Sequence, residues 1–136
     1  MTKTFEWSDE YSVGVEVLDT QHRFMFEQGN RITELQPEET KQLIINLYRY
    51  VMQHFATEEA HMKAIGFPGA DSHREKHEFI IEQLNQMTNG FEPNARNTLK
   101  LKLFFFNWLT SHIQHEDKKY FDFANVTRMA NELKEQ

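Results

Sequence analysis

Seven side chains able to bind a transition metal recur at short intervals: His22, then His54 and Glu58, then His73 and His77, then His112 and Asp117. Imidazole and carboxylate together suit first-row transition metals. His54-x-x-x-Glu58 and His73-x-x-x-His77 each place two such groups one helical turn apart on one face, where both can reach the same ion. The stretch HFATEEAH adds a third candidate, His61. Positions 54, 58 and 61 fall within about 60° of one another on a 3.6-residue helix. From the first to the last the helix climbs about 10.5 Å, so ions a few Å apart cannot use both ends and the middle. Either His54 and Glu58 or Glu58 and His61 would serve, and the spacing alone leaves the choice open.

Five imidazoles and two carboxylates exceed the four ligands that close an ordinary zinc site. They suit two metal ions bridged by the carboxylates. Imidazole-rich ligation with carboxylates favours iron, while zinc, manganese or cobalt could enter the same site. The chain has no cysteine, which removes thiolate ligands, disulfides and a cysteine nucleophile. A lone histidine is ordinarily a surface residue. Here each of four helical segments aims such groups at its apolar stripe, where unpaired they would carry a heavy desolvation cost.

The elements that must position these groups are delimited by breakers at Pro37, at GFPGADS (residues 66–72) and at NGFEPNA (residues 89–95). A first helix is expected from an N-cap at Asp19 or Thr20, with His22, Met25, Phe26, Gly29 and Ile32 inward. A second opens on Pro37-Glu38-Glu39 and carries Leu43, Leu47, Val51, Phe55 and Met62, with Gly66 placed to end it. A third starts near Asp71 or Ser72 and presents His73, His77, Ile80, Ile81, Leu84 and Met87. The fourth begins near residues 94–97, with Leu99, Leu103, Phe106, Leu109 and Ile113 as its expected stripe. LFFFNWL within it is apolar nearly all round, so this helix should be the most buried. Four helices of about 20 residues with short loops imply an all-α, up-down-up-down four-helix bundle. Residues 1–18 form an N-terminal arm, the bundle covers about 19–122, and a short C-terminal helix at about 125–134, within a tail at 123–136, would cap the bundle. The whole chain, 1–136, reads as one domain.

Composition narrows the function. The 136 residues are 39% hydrophobic, with twelve Phe to bury and a net charge of −6. That balance provides no basic surface for nucleic acid and no polybasic membrane patch. No apolar run is long enough for a membrane span, and MTKTFEWSDE lacks the apolar core of a signal peptide. A cytoplasmic protein is the expectation. Nothing in the sequence names a protein recipient or an oligomeric state.

The order His, His-x-x-x-Glu, His-x-x-x-His, His-x-x-x-x-Asp, together with WSDEYSVGVEVLDTQH, HFATEEAHM, GFPGADSHREKH and NWLTSHIQHEDKKY, resembles the hemerythrin family. The likeness is strongest to its single-domain bacterial members and spans about residues 7–122. It implies two iron ions per chain, cycling between Fe2+ and Fe3+ with an oxo or hydroxo bridge. His73, His77 and His112 would hold one iron, His22 and His54 the other, with Glu58 and Asp117 bridging. O2 would bind at the open position of the two-histidine iron and be held as a hydroperoxide. Trp108, Leu109, Ile113, Phe55 and Met25 fall where the family lines that pocket with apolar groups. The implied role is storage, delivery or buffering of O2 rather than catalysis. An O2, NO or iron sensing module and a di-iron redox enzyme are the alternatives.

Two points are specific to this chain. His112 and Asp117 are five residues apart, about 140° on an ideal α-helix, so the helix end or the Asp117 rotamer is expected to bring the carboxylate back. Glu116 and His115 are rivals nearby. His61 stands where the family usually has an apolar residue and is not expected to be a ligand. A ferritin-like site would use Glu58 and His61 but needs a second Glu-x-x-His. The sequence offers only the imitation Asp19-x-x-His22.

Overall fold

The computed structural model describes residues 5–134. Residues 1–4 of the expected arm and 135–136 of the expected tail lie outside it. Its main elements are α1 (Glu16–Arg31), α2 (Pro37–Ala64), α3 (Ala70–Thr88), α4 (Ala95–His112) and α5 (Lys118–Lys134). A 3-10 turn at Asp9–Tyr11 precedes them, and a π-helical turn at Ile113–Asp117 joins α4 to α5. The first four helices form the expected bundle, with α1 packed on α2 and α4, and α2 on α3.

Local chemistry sets most of these boundaries. Pro37 occupies the first turn of α2 with Glu38 and Glu39 behind it, matching a fixed φ and two acids to the positive end of the helix. Gly66 adopts φ +69° at the other end. There the Phe67 N–H reaches the Met62 carbonyl and the Gly66 N–H reaches Lys63, which closes the helix with a paired C-terminal cap. Asn94 caps α4 by accepting the Asn97 N–H at 2.8 Å.

The expected N-cap at Asp19 is corrected. α1 starts three residues earlier, at Glu16, and Asp19 is buried inside its first turn. Its carboxylate accepts the Val13 N–H and the Ser12 hydroxyl, both at 2.8 Å. A cap-forming residue type is thus used to fasten the arm to the helix instead of starting it. Further back, Asn30 clamps the Phe5 backbone, accepting its N–H and donating to its carbonyl. Phe5 then stacks on Phe106 at 4.2 Å. The arm therefore lies across α1 and α4.

The inner stripes of α1 and α2 are those the spacing predicts. α4 is rotated from expectation. Leu99 and Leu103 are 42% and 47% exposed, and the inward face is Leu101, Lys102, Phe105, Phe106 and Leu109. A helix apolar nearly all round leaves its rotation to other constraints. One of them is Gly29 on α1: a Cβ there would stand 2.8 Å from rings of both Phe105 and Phe106. These two helices touch at a contact only glycine allows. Lys102 is carried inside by the same rotation and donates to Thr33 Oγ1 at 3.2 Å.

The C-terminal helix begins at Lys118 instead of near 125 and runs on from α4 without a loop. Tyr120 and Phe121 anchor it in the core, while Val126, Met129 and Leu133 are exposed. Its last turns therefore do not cap the bundle. Among the described residues, no helix is long and apolar enough to cross a membrane.

Candidate metal centre

His22 lies early in α1, His54 and Glu58 late in α2, His73 and His77 early in α3, and His112 at the end of α4. Antiparallel packing brings these to the same end of the bundle. Asp117 joins them because the helix changes pitch. Its turn is π-helical, and the Lys118 N–H bonds to the Ile113 carbonyl five residues back. A π turn puts residues i and i+5 on one face, so Asp117 Oδ1 comes 3.1 Å from His112 Nε2. The widened backbone turn, not the helix end, resolves the awkward spacing. The same turn sends the rival His115 to the surface and leaves Glu116 bound to Lys76 at 2.5 Å.

All seven residues are buried; His112 is the most exposed, at 6%. Their atoms form two groups that share Glu58: His73, His77, His112 and Asp117 with Glu58, and His22 and His54 with Glu58. Each carboxylate divides its oxygens between the groups. Glu58 Oε1 is 3.2 Å from His77 Nε2, while Oε2 is 3.5 Å from His54 Nε2. Asp117 Oδ1 is 3.1 Å from His73 Nε2, while Oδ2 is 3.3 Å from His22 Nε2. His61 belongs to neither group. It is half-buried, with its ring edge-on to Tyr120 at 5.4 Å.

His77 Nε2 and His112 Nε2 pair with each other at 3.1 Å, but most of the remaining atoms face one another without being satisfied. His22 Nε2, His73 Nε2 and both oxygens of Glu58 and of Asp117 are buried and have no hydrogen-bond partner among the described residues. Buried polar atoms are nearly always paired, so converging orphans of this chemistry fit cations held at the two groups. Nitrogen and oxygen donors in this ratio fit iron.

The electrostatics agree. Burial and the adjacent Glu58 charge would raise the Asp117 pKa, but His112 and His22 reverse this and hold it well below the usual carboxylate range. Burial is likewise overcome at Glu58, where His54, His73 and His77 keep the carboxylate ionised. Burial opposes charge on His73, yet Asp117 and Glu58 raise its pKa to about 9. Burial lowers that of His77.

Two residues the sequence did not single out stand behind the imidazoles. His54 Nδ1 lies 2.6 Å from Gln21 Oε1, and His77 Nδ1 lies 3.3 Å from Glu59 Oε1. An acceptor at Nδ1 fixes the proton there and leaves the Nε2 lone pair free. Their positions beside His22 and Glu58 were the available signal. Of the five expected pocket residues, Phe55, Met25, Leu109 and Ile113 are buried and Trp108 is half-buried. Phe55 stacks flat on His77 at 3.7 Å, and Trp108 is 5.6 Å from both Phe55 and His112.

Residues 13–124 match the family model described as the hemerythrin HHE cation binding domain. The chain belongs to the hemerythrin family. Among its relatives is a bacteriohemerythrin of Stenotrophomonas maltophilia, 30% identical over 85% of this chain and 78% of that protein. A bacteriohemerythrin of Clostridium acetobutylicum is 27% identical over 87% of this chain and 99% of its own length. The crystal structure of a wild-type hemerythrin superposes with a TM-score of 0.79 at 25% identity, covering 88% of this chain and 97% of that one. With the family in place, the fold is a hemerythrin bundle, and the buried His/Glu/Asp cluster is a candidate metal site within it.

Proposed function

We propose that the chain binds O2 reversibly at a di-iron centre held by His22, His54, Glu58, His73, His77, His112 and Asp117, as a store, carrier or buffer of the gas. One observation carries the reading: Glu58 and Asp117 each turn one oxygen to the His73/His77/His112 set and the other to the His22/His54 set. That is the arrangement required of two carboxylates bridging two ions. In it three imidazoles would hold one ion and two the other, which would leave the second with fewer protein ligands. When bound, the iron pair supplies the electrons and the coordination site that side chains lack.

The chain supplies confinement. Phe55, Met25, Leu109 and Ile113 are buried apolar groups, and Trp108 packs on Phe55. Such a lining has no acid to deliver the protons that would release peroxide or split the O–O bond. This favours reversible binding over an oxidase or peroxidase.

The test is anaerobic reduction of the iron-loaded protein, then optical O2 titration with metal analysis. Two irons per chain and charge-transfer bands that disappear under vacuum are expected. One iron per chain, or steady O2 consumption with peroxide release, would overturn the proposal.

A further inference from the structure

The residues behind the two imidazoles differ in charge. His77 has the carboxylate of Glu59 at its Nδ1, and His54 has the neutral amide of Gln21. Among the described residues, His22 Nδ1 is buried with no hydrogen-bond partner, and no negatively charged group hydrogen-bonds the Nδ1 of His22 or His54. We propose that Glu59 and Gln21 are positioning residues that make the two metal positions electronically unequal, with Glu59 biasing the His73/His77/His112 position toward the ferric state. The inference rests on the reading of the seven side chains as ligands of two iron ions.

The physics is that of an outer partner acting through a ligand. A carboxylate accepting the Nδ1–H gives the ring more anionic character and makes Nε2 a stronger donor to a higher-valent ion. An amide holds the same tautomer and ring orientation without that charge. Glu59 follows Glu58 directly, so α2 supplies a bridging carboxylate to the centre and, from the adjacent position, a partner to a ligand on α3. The Glu59 side chain is 32% exposed, so its field is partly screened, and its effect passes mainly through the hydrogen bond. Gln21 is half-buried and much closer, at 2.6 Å. Geometry is therefore held more tightly where charge is missing. The two-histidine position would keep the lower oxidation state longer and remain the one that exchanges small ligands.

Charge and geometry are separated by Glu59→Gln, which keeps an acceptor, Glu59→Ala, which removes it, and Gln21→Glu, which adds charge behind His54. Readouts are the one-electron midpoint potentials of the iron-loaded proteins and the exchangeable, hyperfine-shifted ring N–H resonances of the diferrous forms. Outer partners of this kind typically change metal affinity by about 10–100-fold, and each tenfold by which that change is larger for the ferric than for the ferrous ion corresponds to about 59 mV for one electron. Glu59→Gln should raise one potential by about that step and move one ring N–H resonance, with both irons retained. Gln21→Glu should lower the other potential. Potentials unchanged in both charge-altering variants would overturn the inference, as would a shift in Glu59→Ala that Glu59→Gln does not share. A wild type that holds two irons yet does not bind O2 reversibly sinks the O2 proposal and leaves this one standing.

Discussion

Removing the metal should cost this bundle a large share of its stability. Six buried atoms that face the centre, His22 Nε2, His73 Nε2 and the four carboxylate oxygens of Glu58 and Asp117, have no hydrogen-bond partner among the described residues. A buried polar atom left unsatisfied costs about 1–3 kcal/mol. Even the low end gives about 6 kcal/mol, comparable with the whole stability of a typical domain, about 5–15 kcal/mol. Entering water and protonation of His73 recover part of this. If half persists, about 3 kcal/mol, the melting temperature falls by about 10 °C for a chain of this size. The assay compares calorimetric melting of metal-free and metal-restored protein, with hydrogen exchange to locate the loss. Protection should fall in the late part of α2, the early part of α3 and the π turn. It should hold at the other end, where Leu47, Leu84, Leu101 and Phe105 are buried in the apolar core. Melting temperatures equal within about 2 °C would refute the reasoning, since the orphaned atoms would then have found partners within the protein.

Other expectations follow from the same geometry. His61→Leu should leave both irons and O2 binding nearly intact, while His54→Leu should empty or cripple one position; iron stoichiometry separates the two, and equal losses would reinstate His61 as a ligand. Deleting Gln114 leaves four residue steps between His112 and Asp117, about 40° apart on an ordinary α-helix, so both irons should be kept. Inserting Ala after Gln114 makes six steps, about 120° apart, and should lose metal; the reverse order would sink the account of the π turn. In the metal-free protein His73 titrates near 9, raised by Asp117 and Glu58, so a metal ion must displace its proton at neutral pH. Apparent affinity should rise about tenfold per pH unit between about 7 and 9, measured by chelator competition, and a flat profile contradicts this. The stability that protonated His73 gives the metal-free fold is full below about 6.5 and is lost as pH rises through about 9.

The sequence was most readable where two periodicities coincided. In α2, His54, Phe55 and Glu58 share a stripe with Leu47, Val51 and Met62, so the core pattern also aims the polar residues inward. In α4 the pattern is degenerate. Leu99 and Leu103 fit a stripe as well as Leu101 and Phe105 do, and the rotation is set by contacts absent from local sequence, such as Gly29 against two rings. Asp117 could be named from the family motif but not explained. A π turn has no residue-type marker comparable to proline or glycine, and only the misfit of a five-residue spacing hints at it. Asp19 was misread because a capping residue type says that a backbone N–H will be captured, not which one. Gln21 and Glu59 are hard to read because each adjoins a stronger candidate, although a ligand imidazole almost always has a partner at its second nitrogen.

The depth of the seven side chains bears on time as well as affinity. Glu58 and Asp117 are fully enclosed, and no imidazole of the set exceeds 6% exposure. An external chelator cannot touch an ion held there while the helices stay packed. Escape would wait for a local opening of the bundle, and such openings carry their own free energy, set by the packing around the site. The residence time of the metal is then a property of the helices rather than of the donor atoms. Stripping should proceed at a rate independent of chelator concentration once the chelator is in excess, and that plateau would read out how often this end of the bundle comes apart.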